Sequence, residues 1–324
     1  GFTGSAGILL VSATEVVLIS DFRYSVQATQ EAGTVARVEI DRVSIWDRLR
    51  RFLADMDLET LGYESHVATI RDVERLAGVR ARLVPSADLV ERLRASKTPE
   101  EIAAIRAAAA LAEAALAETL PDIHPGQNEF AIAALLERAL RRRGSEWHPF
   151  PTIVASGPRS ALPHARTSDR TVVPGDWLLL DFGAMVDGYC ADLTRTYVVG
   201  AAPDPRQRAT YAIVRAAQER ACEFMRAGMT GRQVDALARD LIVERGFGDA
   251  FGHSLGHGLG LEVHEAPRLS ALAEEPLPRH AVVTVEPGIY FPGWGGVRLE
   301  EDVHLDLDGA ELLSSGPTDL IELR

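Results

Sequence analysis

Five residues in the second half of the chain have the types and positions expected of a metal site. They are four acids and one histidine: Asp181, Asp192, His257, Glu286 and Glu300. Asp181 and Glu286 directly follow runs of mainly apolar residues, where burial is expected. Charged residues at such positions should be paired or metal-bound, because burying a lone carboxylate is very costly. Four carboxylates with one imidazole therefore predict a site for two divalent cations.

The donor set also limits which cations the site could hold. Oxygen-rich ligation with one imidazole suits Mn²⁺, Co²⁺, Fe²⁺ or Zn²⁺ and excludes a thiolate-rich structural zinc site. Two such ions about 3.5–4 Å apart would hold a water molecule and polarise a carbonyl group. A single acid of this kind would most simply be an ion-paired or surface residue. Four such acids together with His257 favour the metal site instead.

Three further histidines accompany this set: His164, His253 and His264. A lone histidine is most often a hydrogen-bonded core or surface imidazole. His253 and His264, however, flank His257 in a glycine-rich stretch that would let a substrate approach the backbone closely. This placement favours substrate contacts or proton transfer. The same glycines do not form a phosphate loop, because no Lys-Ser/Thr pair follows them. The pattern predicts a peptide or amide site rather than a nucleotide site.

Composition narrows the possible partners. The chain has 324 residues and a formal net charge of −13, which argues against nucleic acid or an anionic membrane as the partner. No apolar run approaches the ~20 residues of a membrane span. Two cysteines, Cys190 and Cys222, are too few for a disulfide framework, so a cytoplasmic location is expected.

The elements that must position these residues follow an α/β (α+β) pattern in two expected domains. Residues 1–88 alternate short apolar strands with helical segments, and the opening Gly1-Phe2-Thr3-Gly4-Ser5 suggests that the first segment of this domain is missing. A linker is expected at 89–98 and a second domain at 99–324. Helices are predicted over the following ranges: 45–55, 71–76, 99–120, 129–143, 204–227 and 233–245.

The motifs around the five residues resemble those of the pita-bread (creatinase/aminopeptidase-like) metallopeptidase family, in its Xaa-Pro peptidase branch. The segments that carry the resemblance are 180–183, 188–196, 253–265, 285–290 and 296–302. A looser resemblance to the creatinase-type N-terminal domain covers residues 1–5 and 20–24. The resemblance implies a C-terminal pita-bread catalytic domain preceded by a smaller creatinase-type α/β domain.

The resemblance also implies a role for each of the five ligands. Asp192 and Glu300 would bridge two divalent ions, with Mn²⁺ expected first. Asp181 would complete the shell of one ion, while His257 and Glu286 would complete the shell of the other. Glu286 would in addition act as the general base for the bridging water.

Further roles follow from the same resemblance. His264 and His164 would contact the scissile carbonyl and amide and help to stabilise the tetrahedral intermediate. His253, Arg298 and Tyr290 would shape the proline side of the site. The implied substrates are short proline-containing peptides, and a homodimer is expected.

Two activities remain open within this branch. An Xaa-Pro dipeptidase (prolidase) must recognise the free carboxylate of proline, which requires a fixed cation, and Arg298 and Arg23 are the candidates. An aminopeptidase P would leave that end of the site open for longer peptides. The short N-terminal domain favours the dipeptidase. Metal-free amidinohydrolases and non-catalytic binding proteins share the fold, but all five ligand positions here carry metal-competent residues.

Overall fold

The computed structural model describes residues 1–314 and 316–324, and these divide into two compact units, Gly1–Leu89 and Val90–Arg324. The first unit is a small α/β unit. Its strands are β1 Gly7–Val11, β2 Val16–Asp21, β3 Arg37–Asp41, β4 Thr60–Glu64 and β5 Arg82–Ser86. Its helices are α1 Ser25–Ala32, α2 Ile45–Ala54 and α3 Ile70–Arg75.

Two small sheets organise this unit. β2 is the central strand of the first, pairing antiparallel with β1 and parallel with β3, while β4 and β5 form a parallel pair. Val17, Ile19, Leu49 and Leu53 form part of its core. The predicted alternation of strands and helices is therefore confirmed in the first unit.

The second unit carries longer helices on two sheets. The helices are α4 Leu89–Arg94, α5 Pro99–Thr119, α6 Glu129–Arg143, α7 Pro205–Phe224 and α8 Gly231–Glu244. The strands of the four-stranded sheet, in the order β18-β10-β7-β6, are β6 Ile153–Ser156, β7 Trp177–Phe182, β10 Leu193–Val199 and β18 Glu322–Leu323. A short hairpin of β8 Met185–Val186 and β9 Tyr189–Cys190 lies between β7 and β10 in the chain.

The other sheet of this unit has five strands in the order β12-β11-β13-β16-β17. They are β11 Gly256–Gly258, β12 Glu265–Leu269, β13 Val282–Val285, β16 Glu301–Asp306 and β17 Gly309–Leu312. The hairpin of β14 Gly288–Phe291 and β15 Gly295–Arg298 joins β13 to β16 along the chain. Antiparallel pairing brings Thr284 opposite Asp302, and this register aligns the ends of β13 and β16 that carry acids.

Each sheet is covered by its own pair of helices. One core cluster joins α5 and α6 to the four-stranded sheet, and a second joins α7 and α8 to the five-stranded sheet. Burying these apolar faces stabilises the unit by roughly 25 cal/mol per Å² of apolar surface removed from water. The two helix-covered halves predicted from the sequence are confirmed.

The helix starts follow the predicted local chemistry. At α5 the Thr98 side chain accepts a hydrogen bond from the Glu101 amide, and the Glu101 carboxylate accepts one from the Thr98 amide. Pro99 occupies the first turn. One predicted end is wrong, because α7 stops at Phe224 and not at Ala227. Met225 already has an extended backbone (ψ 147°), so the chain leaves the helix before Gly228. No helix among the described residues is long and apolar enough to cross a bilayer.

Candidate metal centre

The four-stranded sheet supplies two of the predicted ligands. Asp181 lies near the end of β7, and Asp192 lies directly before β10. Because β7 and β10 are antiparallel, with Thr194 opposite Asp181, both acids lie at the same end of this strand pair. Asp181 and Asp192 are buried, at 8% and 5% relative exposure, as their positions in the sequence predict.

The five-stranded sheet supplies the other three. His257 lies in β11, Glu286 follows β13 and Glu300 precedes β16. Strand β13 pairs with both β11 and β16, so these three residues come from adjacent strands. The two sheets thus each carry predicted ligands.

Three ligand atoms converge closely. One atom each from Asp192, His257 and Glu300 lies within 4.8 Å of the other two. The Nε2 atom of His257 is 3.5 Å from a carboxylate oxygen of Glu286 and 3.8 Å from one of Asp192. Asp192 Oδ1 is buried and has no hydrogen-bond partner among the described residues. Buried oxygen atoms without a partner are rare in folded proteins, and a cation would satisfy this one.

The tautomer of His257 favours a cation between its ring and the neighbouring carboxylates. Its Nδ1 is 3.1 Å from the carbonyl oxygen of Gly258, which can only accept, so Nδ1 carries the proton. Burial lowers the pKa of His257 to about 4, so the ring is neutral at neutral pH. Its Nε2 lone pair therefore faces carboxylate oxygens, and a positive charge between them would remove the repulsion.

Burial and mutual repulsion raise the pKa of three of the carboxyl groups. Burial, followed by the charge of Glu300, raises the pKa of both Asp192 and Glu286 well above the usual range. Burial, followed by the charge of Asp181, raises the pKa of Glu300 to about 8. Such shifts are expected where carboxylates share a dry site, and divalent cations would reverse them. The donor set therefore fits divalent ions.

Asp181 is held differently from the other acids. It forms a buried ion pair with the Arg298 guanidinium. Arg298 also donates from Nη1 to Tyr290 Oη at 3.0 Å and to the Pro163 carbonyl at 3.2 Å, and from Nε to Thr194 Oγ1 at 3.1 Å. Most of its donors are thus committed within the protein, which makes Arg298 a link between the acids and Tyr290.

His253 extends this link. Its Nδ1–H donates to the Ser254 carbonyl at 2.8 Å, and its Nε2 accepts from the Tyr290 hydroxyl at 2.8 Å. Tyr290 in turn accepts from Arg298, so the three side chains form a directed chain of hydrogen bonds. Burial lowers the pKa of His253 to about 4, which leaves it neutral. The structure thus brings together the three residues expected on the proline side.

His264 and His164 are the accessible imidazoles near the acids. The His264 ring centroid is 4.3 Å from that of His257. Both His264 and His164 are exposed to solvent. Burial of part of the ring, followed by the charge of His164, lowers the pKa of His264. Both histidines can therefore offer N–H donors to a bound substrate.

Arg23 lies in the first unit, directly after β2. Its side chain is 65% exposed and pairs with Asp21 through two hydrogen bonds, of 3.0 and 2.7 Å. The guanidinium that was a candidate for the substrate carboxylate thus already has an anionic partner.

The sequence interpretation missed three buried polar residues beside the ligands: Thr194, Thr284 and Asp302. Thr194 donates to Glu300 at 2.5 Å, and Asp302 accepts from the Asp192 amide at 3.1 Å. A signal was present, because each lies two residues from a ligand and side chains two apart share one face of a strand.

The missed Thr284 predicts a measurable effect on metal binding. Its hydroxyl accepts from the His257 amide at 3.1 Å and lies 3.4 Å from Glu286 Oε1, so it positions two ligands. We expect Thr284→Val to weaken divalent-metal affinity about 10- to 100-fold, as for loss of a group that orients ligands. Metal titration followed by calorimetry measures it. Thr284→Ser retains the hydroxyl and is the matched control; equal affinity in both variants would contradict the role.

Gly256 and Gly258, on either side of His257, are required by packing. A Cβ atom on Gly256 would overlap the carbonyl oxygen of Thr284, and one on Gly258 would overlap that of Ala266. These glycines let neighbouring strands approach β11. The approach of a substrate to this stretch remains a prediction.

Two family models match the chain. The model described as metallopeptidase family M24 matches residues 103–306, and that described as the creatinase/prolidase N-terminal domain matches residues 1–96. The first match contains all five predicted ligands.

Individual proteins are similar over nearly the whole chain. An Xaa-Pro dipeptidase of Pyrococcus furiosus is 37% identical over 97% of this chain and 89% of its own length. The structure of an Xaa-Pro dipeptidase from Bacillus anthracis superposes with a TM-score of 0.96 at 41% identity, covering 99% of this chain and 90% of that one. The structure of an X-Pro aminopeptidase from Thermotoga maritima superposes with a TM-score of 0.93 at 42% identity, and the match covers 99% of this chain and 92% of that one.

Proposed function

Because the chain belongs to metallopeptidase family M24, we propose that it hydrolyses the bond before proline at the N-terminus of short peptides, and Xaa-Pro dipeptides above all. The observation that carries the proposal is the convergence of Asp192, His257 and Glu300, whose ligand atoms lie within 4.8 Å of one another. The Pyrococcus and Bacillus relatives, both named Xaa-Pro dipeptidases, support the choice of substrate.

The proposed cofactor is a pair of divalent ions, with Mn²⁺ expected before Co²⁺, Fe²⁺ or Zn²⁺. Asp181, Asp192, His257, Glu286 and Glu300 would together hold them. When bound, the ions would supply Lewis-acid polarisation of the scissile carbonyl and lower the pKa of a water molecule.

The side chains would then perform the remaining steps. Glu286 would accept a proton from the attacking water, and His264 and His164 would donate hydrogen bonds to the scissile carbonyl and amide. His253, Tyr290 and Arg298 would line the proline side as one connected unit. The bond before proline is a tertiary amide and has no N–H. A site that does not require a hydrogen bond from the scissile nitrogen can therefore accept it.

The runner-up activity is that of an aminopeptidase P acting on longer Xaa-Pro peptides. The similarity to the Thermotoga X-Pro aminopeptidase supports this activity, because its identity of 42% is close to the 41% of the Bacillus dipeptidase structure. Arg298 and Arg23, the cations predicted to read a proline carboxylate, both have anionic partners within the protein. Both arginines remain predictions for this role.

The decisive experiment compares hydrolysis of Ala-Pro and Ala-Pro-Ala by metal-stripped protein after Mn²⁺ is added back. We expect metal-dependent cleavage of Ala-Pro with little cleavage of Ala-Pro-Ala. Efficient cleavage of the tripeptide would establish the aminopeptidase P activity instead. Cleavage of neither substrate with any of the four metals would reject both activities.

Three other features belong to the proposal. We keep the domain boundaries at residues 88 and 98, a cytoplasmic location and a homodimer as predictions. Limited proteolysis, cell fractionation and light scattering of the purified protein test them in turn.

A further inference from the structure

Two residues of α8 hold the segment 251–255, which carries His253 and leads into β11 without forming a helix or strand. Asp235 and Arg239 are four positions apart, so they share one face of α8. They form an ion pair with hydrogen bonds of 2.6 and 2.9 Å, in which Asp235 is buried and Arg239 is partly buried. Because a buried ion pair often adds little net stability, its presence here favours a further role.

The pair satisfies backbone groups of this irregular segment. Arg239 donates from Nη1 to the Phe251 carbonyl at 2.9 Å and from Nη2 to the His253 carbonyl at 2.7 Å. Asp235 Oδ1 accepts from the Leu255 amide at 3.1 Å. Buried backbone outside helices and sheets requires partners of this kind, because no ladder satisfies its polar groups. The conformation of the segment is therefore set by side chains of α8.

The ring of His253 is held as well as its backbone. The Arg239 guanidinium lies 4.2 Å from the centre of the Phe251 ring, and the Phe251 and His253 rings meet edge to face at a centroid distance of 5.0 Å. Phe251 is buried, so it has little freedom to move. Arg239 thus fixes His253 both by a hydrogen bond and through the packed phenyl ring.

His253 connects this pair to the candidate metal centre. Its Nε2 accepts from the Tyr290 hydroxyl at 2.8 Å, and Tyr290 accepts from Arg298, which pairs with Asp181. The first of these hydrogen bonds depends on where the imidazole lies, and α8 places the imidazole. A hydrogen bond weakens steeply when its geometry is lost, so a small displacement of His253 would release Tyr290.

We infer that Asp235 and Arg239 are positioning residues for His253, and through it for Tyr290, on the proline side of the substrate. The inference rests on the proposed function, which puts these two side chains on that side of the site. The pair acts through the hydrogen-bonded segment and not by contact with the substrate. Contacts to the proline ring are made equally in the ground state and the transition state, so their loss should weaken binding without slowing the chemical step.

The main test uses Arg239→Lys, which keeps the positive charge but replaces a planar guanidinium by a single ammonium nitrogen. We expect KM of the Mn²⁺-loaded enzyme for Ala-Pro to rise about three- to tenfold, with little change in kcat. In a His253→Ala background the same substitution should add little, because the residue that it positions is already gone. Losses that multiply in the double variant, or a fall in kcat at unchanged KM, would show a merely structural role.

A second readout needs neither metal nor substrate. The Nδ1–H of His253 donates to the Ser254 carbonyl, which fixes one tautomer, so its two ring nitrogens should give distinct NMR signals in metal-stripped protein. We expect Arg239→Lys to shift these signals, which His253→Ala identifies by their absence. Unchanged signals together with an unchanged KM would overturn the inference and leave the proposed function intact. Failure of the unmutated enzyme to cleave Ala-Pro would instead reject the proposed function, and the inference with it.

Asp176→Asn is the matched control for loss of a buried ion pair. The side chains of Asp176 and its partner Arg170 are 9% and 26% exposed, compared with 2% and 25% for Asp235 and Arg239. Asp176 directly precedes β7, at the end of that strand away from the metal centre, so its loss should leave KM and the imidazole signals unchanged. If Arg239→Lys does not fold, the isosteric Asp235→Asn replaces it, with the same rise in KM and the same shift expected.

Discussion

Asp192→Asn is expected to remove turnover and to leave the fold intact. Asp192 offers oxygens to the group that contains His257 and Glu300, and one of these oxygens has no partner among the described residues. An amide is a much poorer ligand than a carboxylate and cannot balance the charge of two cations. Loss of a residue that merely orients ligands costs about 10- to 100-fold, so loss of a bridging ligand should exceed about 100-fold in kcat/KM.

The same substitution should have the opposite effect on the stability of the metal-free protein. Burial, followed by the charge of Glu300, raises the pKa of Asp192, while Glu300 itself has a pKa of about 8. A group with a raised folded-state pKa loses its stabilising contribution as the pH rises from its ordinary value towards the folded one. For Glu300 this window runs from 4.5 to about 8. The uncharged amide of Asp192→Asn removes the repulsion between residue 192 and Glu300. The melting temperature of the variant should therefore fall less over this window than that of the unmutated protein.

These two effects are measured together. Turnover of Ala-Pro with added Mn²⁺ gives the first, and thermal unfolding of metal-stripped protein between pH 5 and 8.5 gives the second. Asp240→Asn is the control, since Asp240 is exposed on α8. Near-normal activity of Asp192→Asn would refute the bridging role. A lower melting temperature at every pH would show that Asp192 stabilises the metal-free fold.

The sequence marks Asp181 and Glu286 as predicted ligands because each acid follows an apolar run, where local pattern and chemistry conflict. An acid after a buried strand is improbable unless something compensates its charge, and Asp181 shows this conflict clearly. Helix caps were equally visible, because a capping box such as that at Thr98 depends only on residues within one turn. The α/β architecture followed from these local signals, and the family match confirms the pita-bread domain with its creatinase-type neighbour.

Contacts between distant strands could not be predicted in this way. Thr284 reaches His257 across β13 and β11, and Arg298 reaches Asp181 across 117 positions of the chain. Those contacts depend on sheet order and register, which a single sequence does not specify.

His264→Ala is expected to lower kcat about 100-fold with little change in KM. His264 is exposed on one side and its ring lies 4.3 Å from that of His257, so its N–H can reach a substrate held at the metal centre. Burial lowers its pKa, so the neutral ring donates without adding positive charge beside the metal ions. A donor that acts mainly on the developing oxyanion affects kcat and contributes little to binding of the ground state.

The backbone around this position should tolerate the change. The side chain of Glu265, the next residue, is 4% exposed and forms ion pairs with Lys97 at 2.6 Å and Arg94 at 2.5 Å. Metal content, measured on the same preparations, separates loss of the donor from disturbance of His257. His124→Ala is a control, because His124 is exposed and remote in sequence from the ligands. A rise in KM alone would assign His264 to ground-state binding.

A double-mutant cycle that combines His264→Ala with His164→Ala tests whether the two imidazoles act on the same atom. If His264 and His164 donate to the same developing oxygen, removing the second donor should cost less than removing the first, so the combined loss falls short of the product of the single losses. If one histidine acts on the carbonyl and the other on the amide, the two losses should multiply. The cycle thus assigns a separate target to each imidazole, which a single substitution cannot do.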